Sequence, residues 1–338
     1  MKTFNKTMLN RYKFVKSDTL YFDIETTGFI HTSSHTYMIG MFYIEKDNIH
    51  FNFLFADNKL DEKDMLMEFN NTLKNFSAIC TFNGKAFDIP YLNWRFDEYN
   101  IKSNLNSKFS IDMSRDFKPL KTFLGLSSAK QKSYEEFLGH NREDKFDGGK
   151  LIEVYKQYCI APTDELLHII TLHNINDLEG IAIITNMYKF FELSKAKYVE
   201  KNICDDNLIV KYKIDHRFSK EIKLKKNDYA IIIYDNELLI KVPIIETEAK
   251  LYFNNYKDYF YLPAEDCSIH KSIAKYVNKN NKIKATKNLA YQKKLSEFIP
   301  IYFDYKINYK LDINDKHSLI PIENVNDEIL NQIILNII

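Results

Sequence analysis

Two carboxylates two residues apart, Asp23 and Glu25, end a stretch rich in strand formers, Thr19-Leu20-Tyr21-Phe22. Aromatic and β-branched residues favour a pleated strand, so residues 18–25 are predicted to form one. Side chains at i and i+2 of a strand point to the same face. Carboxylates set side by side repel each other, and the repulsion is relieved by cations between them or by a proton on one of them. Such a pair is the usual first half of a Mg²⁺ or Mn²⁺ site, because these hard ions take oxygen ligands. A solvent-facing strand ending in acidic residues would look the same. The choice depends on whether further carboxylates follow where the fold can bring them to this strand.

Two places qualify. Asn83-Gly84 marks a turn after the short apolar run 77–82, and Pro90 fits the first turn of a helix reaching about Tyr99. Asp88 therefore sits at a strand-to-helix junction, where an Asp serves either as a helix N-cap or as a side chain turned into a site. Farther on, His173 and Asp177 are four apart and face the same way if they share a helix. The alternatives there are a surface His–Asp pair, or a cap at Asn174 with Asp177 in a first turn.

The elements that would position these residues can be read in order. Residues 1–17 are polar and basic and read as a lead-in. After the Thr27-Gly28 turn, residues 35–44 and 49–55 read as strands, giving an antiparallel meander with the first. Leu60, Met65, Leu66, Phe69 and Leu73 have helical spacing. Residues 108–113 read as another strand, ending near Asp112. From Phe117 to Phe190 the pattern is helical in several pieces, and Thr163-Asp164-Glu165 gives one of them a capped, acidic start. The polar stretch 196–206 is a plausible boundary, so the chain of 338 residues is expected to hold two domains, 1–195 and 196–338.

In the second, residues 209–214, 229–234 and 237–244 read as strands, with Asp235-Asn236 as a two-residue hairpin turn. Residues 265–277 and 327–338 read as helices. Between Lys271 and Lys294 lie eight lysines and no acidic residue, interleaved with Tyr276 and Tyr291. Basic residues neutralise phosphates and aromatics stack on exposed bases, although a solvated helix face in a lysine-rich chain has the same composition. Net charge is +1, which excludes no class of partner. The four scattered cysteines, without a C-x-x-C pair, suggest neither zinc nor a disulfide framework. No apolar run is long enough for a membrane helix and the N-terminus lacks an apolar signal core, so a cytoplasmic protein is expected.

Taken jointly and in order, the Asp23-x-Glu25 strand, the Asn83-Gly84-x-x-Phe87-Asp88 motif and the His173/Asp177 pair resemble the DEDD exonuclease superfamily. The closer resemblance is to the YprB-like predicted exonucleases, over roughly residues 18–192. It includes Leu120-Lys121, Glu135-Glu136-Phe137-Leu138-Gly139, Arg142-Glu143-Asp144, Gly148-Gly149 and Ile152-Glu153-Val154-Tyr155. The tail after Ala249 is similar to the C-terminal part of relatives of that family. The resemblance implies an α/β fold: an RNase H-like mixed sheet flanked by helices, followed here by a smaller α+β domain. It implies that Asp23, Glu25, Asp88 and Asp177 hold two Mg²⁺ or Mn²⁺ ions, with Asp23 bridging, and that His173 is the general base. Thr26, Gly28, Phe29 and Asn83 would lie beside the terminal nucleotide. In the superfamily His and Asp are five apart and Tyr and Asp four apart, so His173 here carries the spacing of the Tyr type.

The function these features imply is a metal-dependent nuclease, a 3′-to-5′ exonuclease on single-stranded DNA or RNA, with the direction taken from the superfamily. A structure-selective endonuclease on the same fold and a non-catalytic nucleic-acid-binding scaffold are the alternatives. No helicase or polymerase motif is attached, which leaves room for a protein partner.

Overall fold

Six strands make the first sheet: β1 (Lys2–Leu9), β2 (Thr19–Thr26), β3 (Thr36–Glu45), β4 (Asn48–Phe55), β5 (Ala78–Thr81) and β6 (Phe109–Asp112), in the order β1-β4-β3-β2-β5-β6. They come from a computed structural model that describes residues 1–142 and 148–337. The chain divides into two compact units, Met1–Phe190 and Phe191–Ile338. The expected meander is β2-β3-β4, each pair antiparallel, while β5 and β6 run parallel to β2. The sheet is therefore mixed, and β2 lies inside it with every residue but Asp23 buried.

One expectation fails at the start. Residues 2–9 are no lead-in but the edge strand β1, paired along its whole length with β4. Lysines and threonines hide this in the sequence, and edge strands tolerate such residues because one side faces water.

Helix α1 (Glu62–Leu73) turns Met65, Leu66, Phe69 and Leu73 onto Leu20, Phe22 and Ile39 of the sheet. Helix α2 (Asp88–Glu98) adds Tyr91, Leu92 and Phe96 to the same core. Each large apolar side chain so buried stabilises the fold by roughly 1.5–3 kcal/mol. After β6 come the short helices α3 (Met113–Asp116) and α4 (Lys118–Phe123), then α5 (Gln131–Phe137), α6 (Gly148–Ile160) and α7 (Asp164–Ile184). Thr163 caps α7, its side chain accepting from the Leu166 N–H. The sequence suggests a break near residue 173, but α7 runs through it as one helix and packs on β2 and β3.

That packing depends on Gly40, which is paired with Asp23 across β3 and β2. A Cβ at position 40 would lie 1.9 Å from Asn174 Oδ1 and 2.7 Å from Leu178 Cδ1, both on α7. The bare backbone is what lets the helix come down on the strand beside the carboxylates.

The second unit is richer in strands than expected. β7 (Lys197–Cys204), β8 (Asn207–Lys226) and β9 (Tyr229–Pro243) form an antiparallel sheet. The stretch read as a boundary is thus largely β7. The hairpin turns fall at Asp205-Asp206 and at Asn227, all with positive φ. Asp235-Asn236 is not a turn. It lies inside β9, where Asp235 at φ 48° sits beside a register shift between Lys213 and Phe218 of β8. A left-handed Asp can serve a turn or a bulge, and only the long-range pairing distinguishes them.

β10 (Ile245–Tyr252), β14 (Tyr291–Ile301), β15 (Tyr309–Lys310) and β16 (Ser318–Pro321) close a small barrel, and β11 (Tyr259–Leu262), β12 (Cys267–His270) and β13 (Ile283–Lys284) make a separate three-stranded sheet. The helix expected over 265–277 shrinks to α8 (Lys271–Ala274), because Cys267–His270 pairs with β11 instead. Helix α9 (Asp327–Leu335) buries Ile329, Leu330, Ile333 and Ile334, and the Leu330 carbonyl accepts from the Tyr212 hydroxyl at 2.8 Å. The predicted end of this helix at Ile338 lies outside the described residues.

Gly40→Ala is expected to destabilise the fold by about 1–3 kcal/mol through overpacking. A urea unfolding curve measures it, and an unchanged midpoint would mean that α7 can retreat without cost.

Candidate active site

Asp23 and Glu25 lie on one face of β2, as the strand period requires. Glu25 is buried, and the register of β2 shifts between Glu25 and Thr26. Asp88 stands in the first turn of α2, also buried, and its Oδ1 accepts the backbone N–H of Ile24 at 3.3 Å. The N-cap position belongs to Phe87, so Asp88 does not serve as the cap. His173, Asn174 and Asp177 share one turn of α7. The His173 Nε2 is 3.2 Å from Asp177 Oδ2 and 3.6 Å from Glu25 Oε1. Ligand atoms of Glu25, His173 and Asp177 all lie within 4.8 Å of one another. Asn174 Nδ2 donates to Asp23 Oδ2 at 3.1 Å. Three elements far apart in the chain thus converge on one spot.

The spot cannot hold its full negative charge unaided. Burial, then the charges of Asp177, Asp88 and Glu25, hold Asp23 well above the usual carboxylate range. Burial pushes Glu25 up to about 8, although the His173 imidazole pulls the other way. Burial raises Asp88 to about 7, against the N–H groups that favour its anion. A set of oxygen donors that retains protons near neutral pH is a set short of positive charge. The donors are carboxylates with one imidazole, the chemistry suited to a hard divalent cation. On this ground the residues present fit the Mg²⁺ or Mn²⁺ expected from the sequence.

The rest of the predicted site lies at the end of β2 and on two loops. Thr26 Oγ1 donates to the Gly28 carbonyl at 3.0 Å. Phe29 stands 84% exposed, with its ring edge-on to Phe87 at 5.9 Å, next in sequence to Asp88. This loop is held from below. Ser34 Oγ donates to the Ile30 carbonyl at 2.6 Å, the His31 ring stacks on Trp94 at 4.3 Å, and Arg95 Nη1 donates to the His31 carbonyl at 3.3 Å. Arg95 in turn is paired with the fully buried Glu62 of α1. Asn83 is exposed at φ 67°, and its N–H is spent on Asp112 Oδ1 at 2.8 Å.

Sequence reasoning missed the residues that act on the site through others. Asp112 accepts from Asn83, Lys85 and Ser114 N–H groups and so fixes the loop that leads to Asp88. Its position at the end of a strand was the available signal. Asn174 was visible only as a possible cap. Glu135 and Arg142 stood in the family motif without a role, while Glu143 and Asp144 of that motif lie outside the described residues. Arg142 donates to both Glu135 and Asp177.

The lysine-rich stretch of the second unit is only partly available to a partner. Lys271, Lys293 and Lys294 are in ion pairs with Asp258, with Glu248 and Asp266, and with Glu323. Lys282 donates to the carbonyls of Ala274 and Val277. Tyr291 is buried and donates to Asp266, whereas Tyr276 is 82% exposed.

Solved structures to which the chain is similar include the family B DNA polymerase of Pyrobaculum calidifontis, at 12% identity and TM-score 0.41, covering 70% of this chain and 34% of that one. The chain thus spans about a third of the polymerase's length. The Aedes aegypti Nibbler EXO domain is similar at 12% identity and TM-score 0.34, with 52% and 82% covered. E. coli Exonuclease I in complex with a dT13 oligonucleotide is similar at 10% identity and TM-score 0.32, with 64% and 55% covered. Among curated protein sequences none matches. The family model of the RNase H superfamily matches residues 20–188. That match begins within the strand that carries Asp23 and ends just beyond the helix that carries Asp177, and the chain belongs to the RNase H superfamily.

Proposed function

We propose that this chain is a metal-dependent nuclease that removes nucleotides from the 3′ end of single-stranded DNA or RNA. The observation that carries the reading is the gathering of Glu25, His173 and Asp177 within 4.8 Å of one another, with Asp23 and Asp88 acting on them electrostatically in a largely buried cluster short of positive charge. The four carboxylates are assigned to hold two Mg²⁺ or Mn²⁺ ions. Bound there, the ions would stabilise charge on the attacking and leaving oxygens of a phosphodiester.

The chain's own residues supply the rest. His173 is the candidate general base, and an imidazole suits the task because its ordinary proton affinity lies near neutral pH. The His173 Nε2 stands 3.2 Å from Asp177 Oδ2 and 3.6 Å from Glu25 Oε1. Its spacing of four residues still places the ring over the cluster, because i and i+4 share a helix face. Asn174 keeps Asp23 turned towards α7. Phe29 offers an exposed ring on which a terminal base can stack, with Thr26 and Gly28 shaping the loop and Asn83 the opposite turn.

The direct test uses 5′-labelled single-stranded DNA and RNA with Mg²⁺, Mn²⁺ or EDTA. A ladder of products differing by one nucleotide, abolished by EDTA and reduced at least about 100-fold in Asp177→Ala, is expected. Discrete internal fragments would favour a structure-selective endonuclease. Binding without cleavage, retained in Asp23→Asn, would favour a scaffold.

Phe29→Ala is expected to raise KM for the oligonucleotide roughly 5- to 150-fold, from a stacking contribution of about 1–3 kcal/mol. Its melting temperature should stay that of the wild type, because the ring is already in water.

The pH dependence has a definite sign. Glu25 and Asp88 have folded-state values of about 8 and about 7, above the 4.5 and 3.8 of the free side chains. From about pH 4 upward the unfolded chain loses these protons and the folded chain keeps them. The cluster therefore lowers the stability of the metal-free protein progressively up to about pH 8. A divalent ion should raise the melting temperature more at pH 8 than at pH 6, and equal shifts would contradict the assignment.

A further inference from the structure

Arg142 stands between two carboxylates of different kinds. Its Nε donates to Glu135 Oε2 at 2.6 Å and its Nη2 to Glu135 Oε1 at 2.7 Å, a two-pronged pairing with a side chain that has no exposure to solvent. The remaining arm, Nη1, donates to Asp177 Oδ1. Gln131 reinforces the junction, its Nε2 donating to Glu135 Oε1 at 2.8 Å and to the Asp177 carbonyl at 2.9 Å. Helix α7 is cut to receive this group. A Cβ on Gly180 would lie 2.0 Å from Glu135 Oε1 and 2.7 Å from Gln131 Nε2.

The Arg142 guanidinium contributes positive charge beside Asp177 and Asp23, partly offset by Glu135 behind it. It also adds direction. A guanidinium is planar and delivers its donors in a fixed fork, and with two prongs anchored on Glu135 the third has little freedom. Asp177 Oδ1 is committed to that third donor. Asp177 Oδ2 is the oxygen that faces His173 Nε2 at 3.2 Å and through it the cluster.

We propose that Arg142, locked by Glu135, is the positioning residue of the site and makes Asp177 a one-oxygen ligand that presents Oδ2 alone. The inference rests on the metal-centre reading above and gives a role to the Glu135–Arg142 part of the family motif. Lysine in place of Arg142 keeps the charge but cannot span both carboxylates with fixed geometry.

The test is Mn²⁺ binding to the full chain without nucleic acid, followed by the loss of the free-Mn²⁺ electron paramagnetic resonance signal. The proteins are wild type, Asp23→Asn, Arg142→Lys and the double variant Glu135→Gln with Arg142→Gln. The double variant leaves no fully buried Glu135 carboxylate without its guanidinium, and Asp177 keeps some contact with water, so it should fold even if Arg142→Lys does not. Asp23→Asn should lose binding, which tests the metal centre itself. Arg142→Lys and the double variant should bind Mn²⁺ about 10- to 100-fold more weakly, with kcat reduced similarly and KM for an oligonucleotide within about twofold of wild type. A folded variant that binds Mn²⁺ as tightly as wild type, whatever its melting temperature, would make Arg142 a structural ion pair only. A wild-type chain that binds no Mn²⁺ would remove the metal centre and this role together.

Discussion

Carboxylates taken out of water lack counter-charge, and burial first, then the negative charge of their neighbours, holds Asp23, Glu25 and Asp88 above the usual carboxylate range. Left to itself, such a cluster would push its three parent elements apart. The apolar packing of α1 and α2 on the sheet opposes that tendency with many side chains, each contributing a little. That core fixes β2 and the start of α2, while α7 is seated on β2 and β3 through Asn174 and Leu178 at Gly40. The cluster is therefore a cost carried by the whole first unit, and a divalent cation is the simplest species that would cancel it.

Within the cluster, the carboxylates are tethered across elements. Asp88 is tied to the strand by the Ile24 N–H, Asp23 to α7 by Asn174, and Asp177 to α5 by Arg142 and Glu135. The tethers cross from one element to another, so they fix the relative placement of strand and helices as well as the side chains. A site assembled this way does not depend on the residues being near in sequence. Only the distances across the fold matter, and these are set by the sheet order and by the seat of α7 on β3.

Much of this is legible in the sequence alone. The i, i+2 rule put Asp23 and Glu25 on one face, the Asn-Gly turn and Pro90 put Asp88 at a junction, and i, i+4 put His173 with Asp177. Local periodicity fixes such placements, and the family resemblance joined them. What stayed hidden depends on contacts between distant residues. Nothing near Arg142 in sequence says that it reaches Asp177, and nothing near Asn174 says that it reaches Asp23. Local rules also misread the second unit. Asp235-Asn236 has the chemistry of a hairpin turn, but β8 continues opposite it, so the same left-handed Asp makes a bulge. Residues 267–270 could join a helix or a strand, and pairing with β11 settled it.

Two glycines fix the seat of α7 from opposite directions. Gly40 opens a gap in the sheet that Asn174 and Leu178 enter, and Gly180 opens a gap in the helix that Glu135 enters. A helix gripped at two points along its length can neither slide nor turn about its axis without losing one of them. One inserted or deleted residue between 174 and 180 would rotate everything beyond it by about 100°. Either Asn174 or Gly180 would then face the wrong way. Over these few positions the chain should accept changes of side chain far more readily than changes of length, and natural variation in length should collect at the ends of α7.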